Sequence, residues 1–173
     1  MRKYSMITIM SLFLAFGLVL PVYAGSQSVT FTPDNLTILP GESGNLALVY
    51  DVPEGDAKTT GIGVRVFFNS NVFESVAFEN IYGVGLVSND EVAQDDVDDQ
   101  DNDPMTDKFV GIAWVSLMGN WPNLVELPME LADLVLTPYA DKAVAPVTVL
   151  NVKAIDTAEG YAFTGGSVQI TIP

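Results

Sequence analysis

The sequence holds 173 residues with no cysteine, no histidine, 7 basic and 22 acidic side chains, for a formal net charge of −15. That length suits one domain with a sizeable core. The missing residue types exclude disulfide scaffolds, thiolate metal sites, cysteine nucleophiles and serine–histidine–aspartate catalysis, and the acidic balance excludes nucleic acid, whose phosphates must be neutralised by Lys and Arg.

Residues 1–24 read as a secretory signal peptide. Arg2 and Lys3 give a basic start, the run from Ile7 to Val22 is almost wholly apolar, and Val22-Tyr23-Ala24 places small residues where a signal peptidase cleaves. The run is short for a membrane span, and no cysteine follows it to carry a lipid. An exported product beginning at Gly25 carries five basic against 22 acidic residues, a net of −17. The expected location is therefore the periplasm, cell surface or exterior of a bacterium, with no membrane insertion after cleavage. Export without cysteine leaves stability to the core, with or without a metal.

From Gly25 to Pro173 the hydrophobic pattern has period two. Strands are expected at Val29–Thr32, Leu46–Tyr50, Ile62–Phe68, Val72–Phe78, Val84–Val87, Phe109–Ser116, Leu131–Thr137, Val147–Ile155 and Ser167–Ile172, each bounded by Gly, Pro, Asn or Asp. Pro128–Leu134 has some helix-forming character, but strand is expected from Leu131 on. Nine short strands, several apolar on both faces, predict an all-β, two-sheet antiparallel sandwich of jelly-roll type filling 25–173 as a single domain.

Three stretches carry a family resemblance. Leu39-Pro40-Gly41-Glu42 turns into an alternating strand; Gly61-Ile62-Gly63-Val64-Arg65-Val66-Phe67-Phe68-Asn69 is followed by Asn71-Val72-Phe73-Glu74; Thr164-Gly165-Gly166-Ser167-Val168-Gln169-Ile170 closes the chain. Together these resemble the cohesin-type sandwich, and Thr106–Trp114 with Gly119-Asn120-Trp121-Pro122 is similar to cohesin-like repeats of bacterial surface proteins. The resemblance implies a nine-stranded jelly roll related to carbohydrate-binding modules, and a binding module rather than an enzyme. Its implied partners are a dockerin-like or surface protein, or a polysaccharide. No residues match the dockerin-contacting positions of true cohesins one by one.

The acidic loop 90–107 is the most distinctive local feature. It contains Asp90, Glu91, Asp95, Asp96, Asp98, Asp99, Asp101, Asp103 and Asp107 with no basic residue before Lys108. Carboxylates crowded in this way suit calcium, which takes six to eight oxygens in flexible geometry. Asp99, Asp101, Asp103 and Asp107 fall at positions one, three, five and nine of an EF-hand-like loop, but Pro104 and Val110 stand where that motif has Gly and Glu. A calcium loop on a sandwich drawing on Asp95, Asp96, Asp98, Asp99, Asp101, Asp103 and Asp107 is one reading; a solvated acidic loop is the other.

Trp114 belongs to an apolar strand and is expected in the core. Trp121, in a turn-like stretch, is a candidate exposed aromatic which, with Tyr82 and Tyr139 near other turns, would stack a sugar or line a partner interface; packing over one end of the sandwich is its alternative. The pairs Asp133 with Asp141 and Glu126 with Glu130 have the residue types of a glycoside hydrolase, but among 22 acids such pairs arise by chance. Gly61-Ile62-Gly63 and Gly83-Val84-Gly85 lack the following helix that a phosphate loop requires. The expectation is a noncatalytic module of protein recognition, adhesion or assembly, with carbohydrate binding as the alternative.

Overall fold

The structure is a computed structural model and describes residues 25–173. The expected signal peptide, Met1–Ala24, lies outside the described residues. Twelve strands run in chain order: β1 (Gly25–Thr32), β2 (Asn35–Thr37), β3 (Gly44–Glu54), β4 (Gly61–Phe68), β5 (Phe73–Glu79), β6 (Leu86–Asn89), β7 (Gln94–Asp95), β8 (Lys108–Val115), β9 (Met129–Pro138), β10 (Val147–Asp156), β11 (Tyr161–Gly165) and β12 (Ser167–Thr171). All nine expected strands form. Among the described residues none is helical, and the ambiguous Pro128–Leu134 stretch enters β9.

Two sheets face one another. The first has the order β11-β1-β3-β9-β5, and the second β2-β12-β10-β4-β8-β6 with β7 also against β8. Most pairs are antiparallel, as expected. Two are parallel, β1 with β11 and β2 with β12, because the chain's beginning and end run side by side along the margins of the sandwich.

Alternation decides which side chains fill the core. Leu46, Leu48 and Tyr50 of β3, Ile62, Val64, Val66 and Phe68 of β4, Val110, Ile112 and Trp114 of β8, and Leu134 and Leu136 of β9 all point between the sheets and are buried. Three rings meet at one end of this layer, where the Tyr50 and Trp121 centroids lie 4.8 Å apart edge to face and Trp121 stands 6.1 Å from Trp114. Their polar atoms are all engaged. Trp114 Nε1 donates to Tyr82 O at 2.7 Å, Trp121 Nε1 to Val84 O at 3.1 Å, and the Tyr50 hydroxyl accepts from Gln27 Nε2 at 2.8 Å.

Gln27 is fully buried and is the hub of this end. Its Nε2 also reaches Gly61 O at 3.0 Å, while its Oε1 accepts from Ala158 N at 2.7 Å. One amide thus joins β1, β3, β4 and the loop after β10, and leaves no buried polar group of its own unpaired. Burial raises the Tyr50 pKa above the ordinary tyrosine value against the opposing effect of the Gln27 bond.

Candidate functional site

The outer face of the seven-stranded sheet is built from the residues that alternate away from the core: Gly61, Gly63, Arg65 and Phe67 on β4, Phe109, Gly111, Ala113 and Val115 on β8, and Asn151, Lys153 and Ile155 on or beside the β10 ladder. The acidic loop divides this face into a covered half and an open half. It crosses β8, β4 and β10 in turn, fastened at each.

At β8, Asp90 N donates to Gly111 O and Gly111 N donates to Asp90 Oδ2, both at 2.8 Å. At β4, the Arg65 guanidinium donates to Gln100 Oε1 and lies 4.6 Å from the centre of the Phe109 ring. At β10, Asn151 Nδ2 donates to Asp101 Oδ2 at 2.8 Å and to Asp103 Oδ2 at 3.2 Å. The loop then returns to the end of β4, where the Asp107 carboxylate accepts from Ser70 N and Ser70 Oγ, both at 2.6 Å. Beneath it, Phe67 and Phe109, with centroids 5.5 Å apart, are buried although neither belongs to the core between the sheets.

The loop's charge is distributed rather than pooled. Asp95 forms an ion pair with Lys108 at 2.6 Å, and that hydrogen bond raises the Lys108 pKa. Asp103 accepts from Met105 N at 3.0 Å and turns its other oxygen toward Asn151. What converges is a different triplet from the EF-hand-like spacing: Asp96, Asp99 and Asp101 each bring a carboxylate oxygen within 4.8 Å of the others. Asp101 is buried and held by Thr106 Oγ1 at 3.0 Å to each of its oxygens, and Asp96 accepts from Gln100 N at 3.0 Å. Asp99 and Asn102 have φ of 49° and 60°, which curls the backbone tightly at the triplet. Three carboxylates at this spacing would provide part of calcium's six to eight oxygens. Asp95, Asp103 and Asp107 are drawn to other partners, and Asp98 is not among the three.

Of the two readings of Trp121, the structure shows packing over one end of the sandwich and not an exposed aromatic. It is fully buried, and Thr59 and Trp121 bridge through N–H···O bonds of 2.7 and 3.0 Å that seat its turn on the chain just ahead of β4. Tyr82 is half-buried against the same turn, with its hydroxyl donating to Pro122 O at 2.7 Å and burial raising its pKa. Tyr139 lies next to β5 with Lys142 over its ring at 4.6 Å. The three form no shared aromatic platform, and the sugar-stacking role of Trp121 is overturned by its packing against Tyr50 and Trp114.

The open half of the face was not anticipated as a site. Here Gly61 takes φ of +125°, and a β-carbon there would stand 1.9 Å from Trp114 O; a β-carbon on Gly63 would press on Ala113 and Ile155 at 3.3 Å each. Without side chains at these positions a shallow cleft of 230 Å³ opens, floored by Gly61 and Gly63 and walled by Ala113, Val115 and Ile155. Val115 and Ile155 are about half exposed and Leu86, paired with Val115 from β6, more so. The legible signal was β4 itself: a strand apolar on both faces must be covered on both, and its Arg65 is the one arginine of residues 25–173.

No family model and no curated protein matches the chain. Solved structures do. The third cohesin of ScaC in complex with the ScaB dockerin, from Acetivibrio cellulolyticus, aligns with a TM-score of 0.54 at 9% identity, over 84% of this chain and 98% of that one. The type I cohesin–dockerin complex Coh-OlpA–Doc918 of Clostridium thermocellum gives 0.53 at 11% identity, over 84% and 99%. This is the cohesin fold. CaCohA2 of Clostridium acetobutylicum agrees with that assignment, at 0.52 and 13% identity over 88% of this chain and 94% of that one. The cohesin-like sandwich expected from the three sequence stretches is thus the fold that the chain adopts.

The fastening of the loop is testable. Arg65→Ala removes a cation–aromatic contact and a charged hydrogen bond, together about 1–2 kcal/mol, and should speed amide exchange across Asp96–Thr106 about tenfold while leaving β4 and β9 unchanged. Unchanged exchange in the loop would show that Arg65 does not hold it.

Proposed function

We propose that this chain is an exported, noncatalytic protein-recognition module that takes a dockerin-type partner on the open half of the outer face of its seven-stranded sheet. The observation that carries this reading is the glycine-floored apolar cleft between β4, β8 and β10, with Leu86, Val115 and Ile155 exposed around it. Flat, partly apolar sheet surface of this kind gains by being covered, and a rigid strand scaffold loses little entropy on binding. The two cohesin structures solved with dockerins support the partner class, and the signal-like residues 1–24 support export. A sequence without histidine or cysteine supports a role in binding rather than catalysis.

The acidic loop has a second part in this proposal. We infer that Asp96, Asp99 and Asp101 hold calcium, which would offset their mutual repulsion and stiffen the rim of the recognition face. The support is the approach of the three carboxylates and the tight backbone around them.

Calorimetric titration of the 25–173 protein with dockerin modules tests the first part. At least one should bind, and the double variant Val115→Asp/Ile155→Asp should bind about a hundredfold more weakly, as expected when charge is buried at the centre of an interface. No binding by any dockerin, or equal binding by the variant, would refute the proposal. For the metal, calcium added to chelator-treated protein at about a hundred times its Kd should stabilise it by about 2.7 kcal/mol, and Asp96→Asn/Asp99→Asn should abolish the gain. A melting curve indifferent to calcium would leave the loop simply solvated.

A further inference from the structure

The sandwich has a second exposed seam, lined by none of the residues that line the cleft at Gly61 and Gly63. At one margin of the five-stranded sheet β5 has β9 as its only strand neighbour among the described residues, so half of its main-chain N–H and C=O groups face away from the sheet. Opposite it stands the Glu91–Ala93 part of the connection from β6 to β7. Between the two lies a groove of 460 Å³. Phe68, Phe73 and Val76, which belong to or pack on the core, form its floor, and Val92, 77% exposed, forms part of its far wall.

The charges around this groove select what can enter it. Glu74 and Glu91 are exposed on its two sides. Of the nearby cations, Lys108 is engaged by Asp95 at 2.6 Å, and Lys142 is confined to the Tyr139 end, over that ring. A second copy of this chain, at net −17, would bring like charge to the edge. The edge also carries devices that resist self-pairing, namely Glu74, Glu79 and a register shift between Phe73 and Ser75.

We propose that β5 is a strand-addition site for an extended, cationic segment of a partner protein. Such a segment would pair with the outward main-chain groups of β5, set alternate apolar side chains on Phe68, Phe73 and Val76, and direct its basic side chains to Glu74 and Glu91. The site is distinct from the cleft at Gly61 and Gly63, so either can fail without the other.

The test uses the 25–173 protein and a capped peptide of alternating lysine and valine, followed by amide exchange. The peptide should slow exchange within Glu74–Glu79. Binding should weaken about tenfold in Glu74→Lys/Glu91→Lys, a pair of exposed substitutions that leaves the core intact, and should vanish for the same peptide carrying a central proline, which keeps the charge but cannot form a strand. Absent binding, slowed exchange elsewhere than β5, or undiminished binding of the proline peptide would overturn the proposal. So would protection of β5 that grows with protein concentration without peptide, which would make the occupant a second copy.

Discussion

Burial of apolar surface between two sheets is the cohesive interaction on which everything else here depends. A chain without cysteine and with 17 excess negative charges over residues 25–173 has no covalent staple and works against its own charge. The layer from Val29 to Ile172 supplies the attraction, and the Tyr50, Trp121 and Trp114 rings extend it to one end of the sandwich. Gln27 matters because that end would otherwise bury unpaired polar groups. Its amide is satisfied from both sides, so the end can close without an unmet hydrogen bond.

With the core secured, the acidic segment is free to serve the surface. It lies across β8, β4 and β10, held by hydrogen bonds and one cation–aromatic contact more than by ion pairs. Arg65 contacts Gln100 and Phe109, and Asp101 is met by Asn151 and Thr106. Neutral donors hold carboxylates in place without cancelling their charge. The result is a surface with a negative rim beside a mostly apolar, glycine-floored cleft that has Asp156 at its border. Charge of this kind steers association and rejects wrong partners, whereas the apolar contact supplies most of the affinity.

Much of the fold was legible because period-two alternation is a local signal. It located nine of the twelve strands, and the buried sides of β3, β4 and β8 follow from it directly. The three strands it did not show, β2, β7 and β11, are short and form at the margins through non-local pairing, two of them parallel. Trp121 was left between exposure and packing for a related reason. Its neighbours Gly119, Asn120 and Pro122 mark a turn, and nothing local reveals that Thr59 and Val84, distant in sequence, draw that turn over the core. The acidic run was evident from composition, but its geometry was not. Spacing favoured Asp99, Asp101, Asp103 and Asp107, whereas Asn151, Ser70 and Lys108 draw Asp103, Asp107 and Asp95 aside and leave Asp96, Asp99 and Asp101 together. The cleft at Gly61 and Gly63 was the least visible feature, since its defining residues are glycines, which within a strand read as bulges or positions of close packing.

The central claim is that the pinned acidic loop leaves one half of the sheet face, the half floored by Gly61 and Gly63, as the place where a protein partner docks. Amide exchange of the 25–173 protein with and without a bound dockerin module tests it most directly. The account predicts slowed exchange confined to the parts of β4, β6, β8 and β10 that border the cleft, near Gly61–Gly63, Leu86–Asn89, Ala113–Val115 and Ile155. Protection on the outer face of the five-stranded sheet instead, with the cleft unchanged, would contradict it.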